Sequence, residues 1–234
     1  MNKTKFNFTV IPVYALVFLG VLFVSLYGSK AIMVWSQAAP LDGRHTIIID
    51  AGHGGEDGGA TSCTGVLESN INLEIALRLN DLFHFLGYDT AMVRTTDTAI
   101  HTQGDTIAAR KASDLKARVS LANETENALL ISIHQNYFSN DRYSGAQVFF
   151  STTDGSEELG KSLQREIVSV LNPGSNRQAK KASGVYLMDH IECPGILIEC
   201  GFLSNRQEEA KLRSESYQKK VICVIVSTVS RYLS

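Results

Sequence analysis

Thr46-Ile47-Ile48-Ile49-Asp50-Ala51-Gly52-His53-Gly54-Gly55 is the stretch on which the reading of this chain turns. Consecutive β-branched isoleucines in a short apolar run predict a buried strand, and the glycines after it predict a sharp bend. His53 lies just past that strand. Leu129-Leu130-Ile131-Ser132-Ile133-His134 repeats the arrangement, an apolar strand closed by a histidine. Gly195-Ile196-Leu197-Ile198-Glu199-Cys200 is a third short strand, with a carboxylate near its end.

Helical patterns fill the intervals. Ile75, Leu79, Leu82, Phe83 and Leu86 recur at spacings of three and four, with Ser69 as the expected N-cap and Gly87 as the stop. Thr90–Arg94 reads as a strand and Ala108–Thr125 as a helix carrying Leu115, Val119 and Ala122 on one side. Gly145–Ser151 reads as a strand, and Glu157–Leu171 as a helix that ends before Pro173. Gly184–Met188 reads as a further short strand; Arg206–Arg213 and Glu215–Tyr232 are the closing helices. This alternation predicts an α/β fold, a mostly parallel central sheet flanked by helices, in one catalytic domain over 44–234.

Composition narrows the classes. The 234 residues are 44% hydrophobic and 20% charged, with a formal net charge of −2. That is enough apolar material for a real core, and the balance argues against a nucleic-acid partner, which would call for a basic field. Four cysteines do not make a disulfide scaffold in a chain this long. Val10–Leu26 carries no charged residue and follows Lys3 and Lys5. Its 17 positions span ~25 Å as a helix, close to the bilayer core and longer than a usual signal-peptide core. Residues 1–29 are therefore expected to be a signal anchor or a signal peptide, with 30–43 as a tether. The length favours the anchor, while small residues at Ser29, Ala31, Ser36 and Ala38 keep cleavage open. Either way the rest of the chain lies outside the cytoplasmic membrane, anchored or secreted.

In open α/β sheets ligands bind beyond the carboxyl ends of the strands. A parallel sheet would bring His53, His134 and Glu199 to one rim, with Glu68 in the loop leading to the first long helix. Two imidazoles and a carboxylate suit a catalytic zinc, with His53, Glu68 and His134 as ligands and Glu199 as proton carrier. Taken singly, each residue also has a structural reading. A histidine at a strand end hydrogen-bonds, Glu68 favours a helix N-terminus, and Glu199 is half of a buried ion pair. No HExxH or paired CxxC spacing decides between the readings.

Together the four segments resemble the zinc N-acetylmuramoyl-L-alanine amidases of the amidase-3 group. Ile49–Gly55 corresponds to the segment with the first ligand, His53. Glu68-Ser69-Asn70-Ile71-Asn72 corresponds to the second and Ser132-Ile133-His134-Gln135-Asn136 to the third. Pro194–Asn205 corresponds to the segment with the catalytic glutamate, Glu199. Arg110-Lys111 with Asp114-Leu115, Ser144–Gln147 and Gly184–Met188 resemble the spore-cortex branch of that family. Ala51 departs from a frequent Pro, and Tyr137 stands where a small residue commonly follows the Asn.

The resemblance implies a phosphorylase/hydrolase-like fold, a Zn2+ cofactor and peptidoglycan as substrate. The bond cut would join the lactyl group of muramic acid to L-alanine. In the cortex, between forespore and mother cell, stripping that peptide precedes muramic-δ-lactam formation. A zinc peptidase or deacetylase of the cell wall, or a non-catalytic wall-binding protein, are the competing readings. With little chain left for a wall-binding module, targeting is expected from the membrane segment or from an accessory activating or targeting protein.

Arg94 and Asn136 are expected to touch substrate or support the site. For Arg94, pairing with Asp97 or bracing the rim is the favoured role. Asn205 is expected at a turn or cap, and Cys200 in the core. Cys63 is read as a reduced loop thiol, and Cys193 with Cys223 is a pairing an oxidising compartment would permit. His45, His84, His101 and His190 are expected to be surface or structural, and Arg177–Lys181 a solvated loop.

Overall fold

The computed structural model describes residues 45–101 and 103–234. The expected anchor at 1–29 and tether at 30–43 lie outside the described residues. Among those described, no helix is long and apolar enough to cross a membrane.

Six strands form one sheet: β1 (Thr46–Ala51), β2 (Asp89–Met92), β3 (Ala128–Asn136), β4 (Gln147–Phe150), β5 (Lys180–Lys181) and β6 (Gly195–Phe202). Their order is β2-β1-β3-β6-β4-β5. Pairs β1/β2, β1/β3 and β3/β6 are parallel, so the carboxyl ends of β1, β3 and β6 share one edge. β4 runs antiparallel to β6, and β5 pairs parallel with β4.

The helices are α1 (Glu68–Phe85), α2 (Ile107–Glu124), α3 (Ser156–Val170), α4 (Tyr186–His190), α5 (Arg206–Leu212) and α6 (Glu215–Tyr232). Ile71, Ile75, Leu79 and Phe83 form the buried stripe of α1 and pack with Ile47, Ile49, Ile131 and Ile133. Leu159, Leu163 and Ile167 of α3 and Val221, Ile225 and Val229 of α6 complete that layer. Each fully buried Ile or Leu contributes roughly 1.5–3 kcal/mol of transfer free energy. The opposite face, with Ile48, Leu130 and Leu197, is covered by Ala122 of α2 and by Leu187 and Met188 of α4. Side chains alternate along a strand. Asp50, Ser132, His134 and Glu199 therefore share the parity of this second face.

Three expectations are corrected. α1 begins at Glu68 with Leu67 at its cap position and no side-chain cap bond. Ser69 lies inside the helix with its hydroxyl buried and unpartnered, because Glu68 and Asn70 are already drawn into the turn by backbone bonds to Ala60 and Leu67. Tyr186–His190 is a helical turn, not part of a strand over 184–188. Gly184 takes φ 75 there, a left-handed bend that an extended run would not contain. Lys180–Lys181 is a short edge strand on β4 within what reads as a solvated loop. The helix stop at Gly87 is observed, with φ 85 and its amide bonded to the His84 carbonyl.

Arg118 of α2 ties β1 and, through Asp50, β3 to the helix layer. Its Nη1 pairs with Asp50 and donates to the Ala51 carbonyl at 3.1 Å, and its Nε reaches Asp114 Oδ2 at 2.6 Å. The Ser132 hydroxyl on β3 donates to the other Asp50 oxygen at 2.6 Å. Arg118 and Asp50 are 3% and 1% exposed. Burial pushes the Asp50 carboxyl up, but Arg118, Ser132 and His134 together hold it below its ordinary value.

Removing one partner of a buried pair strands the other charge. Arg118→Ala is expected to lower stability by ~3–5 kcal/mol in urea unfolding. A depressed carboxyl pKa stabilises the fold above the unfolded value and loses that contribution as pH falls through the folded one. Stability of the wild type should therefore drop on acidification below its unfolded carboxylate range, and Asp50→Asn should flatten that part of the pH profile.

Candidate metal centre

His53, Glu68 and His134 come from three separate elements and meet at the carboxyl edge of the sheet. One ligand atom from each lies within 4.8 Å of the others. His53 sits in the turn after β1 with φ 62, a left-handed conformation that costs a non-glycine residue ~1–3 kcal/mol. Arg118 Nη2 holds that turn by donating to the His53 carbonyl at 2.8 Å. His134 closes on the loop from the neighbouring strand. A Cβ at Gly52 would fall inside the His134 ring, so only glycine leaves room for the imidazole.

Glu68 opens α1 and points both oxygens at the histidines. Oε1 lies 3.0 Å from His134 Nδ1 and Oε2 lies 3.3 Å from His53 Nε2. The same carboxylate accepts from Ala60 N at 3.0 Å, Gln135 N at 3.1 Å and Asn72 Nδ2 at 3.2 Å. Burial pushes Glu68 up, yet the bonds to His134 and His53 outweigh it and hold the carboxyl far below its usual range. Burial pushes His53 down, and its bonds to Glu68 and Asp57 raise it to about 9. Two imidazoles gathered round an ionised carboxylate make a site that draws positive charge, and protons and a divalent cation compete for the same donors.

The donor chemistry fits such a cation. Two nitrogens and one carboxylate are the ligand types of a catalytic zinc with open positions. The outer contacts fit as well. The His53 ring nitrogen Nδ1 bonds Asp57 Oδ2 at 3.0 Å, which leaves Nε2 facing Glu68. Lys111 Nζ of α2 bonds the other Asp57 oxygen at 2.8 Å. Carboxylate-oriented histidines are the usual support of a metal site. Asp57 also explains part of what the residues alone did not reveal. It stands four positions after His53 in a glycine-rich turn, and only the folded turn brings the two side chains together.

Glu199 faces His134 across the β3/β6 register. Its Oε2 is buried with no hydrogen-bond partner. Burial raises its pKa to about 7, with His134 pulling it down and Glu68 pushing it up. Such a carboxyl exchanges a proton near neutral pH. His53, His134 and Glu199 border a cleft of about 330 Å³. Its outer wall is Ile107, Arg110 and Leu115 of α2 with Val185 and Leu187 around α4, and His101 also lines it.

Arg94 is buried and braces the rim. It donates to the carbonyls of Ala51, Gly52, Ser69 and Thr96 at 2.8–3.0 Å. Asp97 instead accepts from Gly55 N. Asn136 ends β3, and its carbonyl accepts from Leu203 N at 2.8 Å. Asn205 caps α5, accepting from Gln207 and Glu208 amides. Cys63, Cys193, Cys200 and Cys223 are free thiols, so Cys193 and Cys223 do not pair, and Cys200 is in the core.

The fold and this donor set define a hydrolase class built around one cation. The family model Amidase_3, N-acetylmuramoyl-L-alanine amidase, matches residues 47–231, and the chain belongs to that family. It is 40% identical to the germination-specific N-acetylmuramoyl-L-alanine amidase of Bacillus subtilis over 202 residues, 86% of this chain and 83% of the relative. The structure of the CwlD amidase from Clostridioides difficile in complex with the GerS lipoprotein is similar at TM-score 0.75 and 36% identity, covering 80% of this chain and 98% of that one. The crystal structure of an N-acetylmuramoyl-L-alanine amidase from Clostridium difficile 630 is similar at TM-score 0.72 and 33% identity, covering 82% and 98%.

Loss of an outer carboxylate typically weakens metal binding 10–100-fold. Asp57→Asn is expected to weaken zinc binding by about that factor in competition with a chromogenic chelator. Lys111→Ala should weaken it less, since Asp57 would keep its bond to His53.

Proposed function

We propose that this chain is a zinc-dependent peptidoglycan amidase that hydrolyses the amide between the lactyl group of N-acetylmuramic acid and L-alanine. The observation that carries this reading is the convergence of His53, Glu68 and His134 beside a buried Glu199 whose pKa is raised to about 7. His53, Glu68 and His134 would hold the metal. A divalent ion held there supplies Lewis acidity, acidifying water and polarising the amide carbonyl.

Glu199 is the proton carrier. Its unpartnered oxygen accepts the proton of the attacking water. The same oxygen then delivers that proton to the departing alanyl nitrogen, so one group serves as base and then as acid. Asp57 keeps the His53 ring oriented. Arg94 keeps the loop carbonyls in place, and Asn136 is assigned to substrate contact or support of the site. The products are the free amine of L-alanine and a muramic acid with its carboxyl exposed.

The relationship to a germination-specific amidase supports a cortex role, with the bare muramic acid passing to muramic-δ-lactam, and a site of action outside the cytoplasmic membrane, between forespore and mother cell. We assign residues 1–29 to a signal anchor or signal peptide, 30–43 to a tether and 44–234 to the catalytic domain. The lipoprotein partner of the related clostridial amidase favours an accessory activating or targeting protein here as well.

Muropeptide mass spectrometry on isolated sacculi tests the reading. Metal-loaded protein should release peptides with free alanyl amines and leave muramic acid intact, and chelation should stop it. Acetate release or an internal peptide cut would contradict it. Glu199→Gln should lower turnover by at least about a hundredfold with zinc content unchanged. His134→Ala should lose zinc, read by metal analysis after dialysis.

A further inference from the structure

The loop that follows β3 leaves its aromatic side chains in solvent. Tyr137, Phe138 and Tyr143 are 53%, 49% and 47% exposed. Tyr137 and Phe138 follow His134 by three and four positions. Phe138, Tyr143 and the buried Phe202 are ordered with respect to one another, with Tyr137 beside Phe138 in the chain. Phe138 meets Tyr143 edge to face with centroids 4.9 Å apart, and Tyr143 stacks on Phe202 at 6.1 Å and 28°. Phe202 is buried, stands three positions beyond Glu199 and has Arg177 Cζ 5.2 Å from its ring centroid. The column thus runs from the end of the catalytic strand β6 out to the surface.

The loop backbone is pinned at several points. Phe138 N donates to Ser204 Oγ at 3.2 Å, and Asn205 Nδ2 donates to the Asp141 carbonyl at 2.8 Å. Arg177 Nη2 donates to the Ser144 carbonyl at 3.0 Å. Exposed aromatic area that the fold does not bury marks a contact surface, and a surface already held in place binds with little ordering cost. A pyranose ring presents a face of C–H groups rimmed by hydroxyls, and such a face packs flat on an aromatic ring whose edge stays wet. The proposed substrate is a polymer. The sugar bearing the reacting amide would lie at Glu199, and the column stands beyond the carboxyl ends of β3 and β6, on the same edge of the sheet as that residue.

We propose that Tyr137, Phe138 and Tyr143 form a glycan subsite that stacks an N-acetylhexosamine adjoining the muramic acid under attack. The proposal rests on the amidase reading for its substrate and makes the enzyme select extended glycan over single-sugar muropeptide.

Two measurements on the zinc-loaded full chain test it. Kinetics compare a single-sugar muramoyl peptide with a tetrasaccharide carrying the same peptides. Calorimetry measures binding of a peptide-free N-acetylglucosamine oligomer. The double variant Tyr137→Ala with Phe138→Ala should raise KM for the tetrasaccharide about tenfold with kcat unchanged. It should leave the single-sugar substrate within about twofold and lose oligomer binding. Tyr137→Phe with Phe138→Tyr should restore both, and zinc content and circular dichroism should match the wild type throughout. Equal losses on both substrates, or unchanged kinetics and binding, would overturn the subsite. So would lost binding to phosphatidylglycerol vesicles with glycan kinetics intact, which would make the loop a lipid contact. A wild type that binds the oligomer through these rings and cuts neither substrate would overturn the amidase reading and leave the subsite standing.

Discussion

Arg118 is the constraint on which the site depends. One guanidinium reaches Asp50 at the end of β1, the Ala51 and His53 carbonyls in the turn and Asp114 on its own helix. Through Asp50 it is linked to Ser132 on β3. A buried pair of this kind adds little net stability over an apolar replacement. What it contributes here is position. It fixes the height of α2 over the sheet and holds His53 in a left-handed backbone conformation that the residue would not choose alone.

The electrostatics of the rim follow from that placement. Glu68 remains ionised although buried, because two imidazoles and three further donors surround it. Glu199, opposite His134 on β6, leaves its Oε2 without a hydrogen-bond partner, and burial pushes its proton affinity up. Two glutamates on one rim thus have opposite characters, one suited to hold a cation and one suited to move a proton. Environment sets the difference, as it does wherever neighbouring carboxyls divide acid and base work.

The helix α2 carries more of the site than its modest packing suggests. Arg110 pairs with Glu56 and Lys111 with Asp57, while Asp114 accepts from Ile100 N at 2.7 Å. Arg110, Asp114 and Arg118 recur every four positions with Lys111 beside them, so one polar face of the helix grips the glycine-rich turn and the segment after β2. A solvent-side reading of Arg110 and Lys111 is natural in a linear sequence, because their partners come from a turn more than fifty positions earlier.

The sequence by itself determined the sheet and its rim. Continuous apolar runs in β1, β3 and β6 are what strands buried on both faces require, and period-two alternation then fixes Asp50, Ser132, His134 and Glu199 on a common face. It also fixed the long helices, whose apolar spacing of three and four is visible locally, and the family, through four motifs in order. Tertiary structure alone decided the cap of α1, the helical turn at Tyr186–His190, the partnership of Asp57 with His53 and the aromatic column from Phe138 to Phe202. Each of those depends on groups distant in the chain or on a backbone bend only a few residues long. Local periodicity carries no record of either.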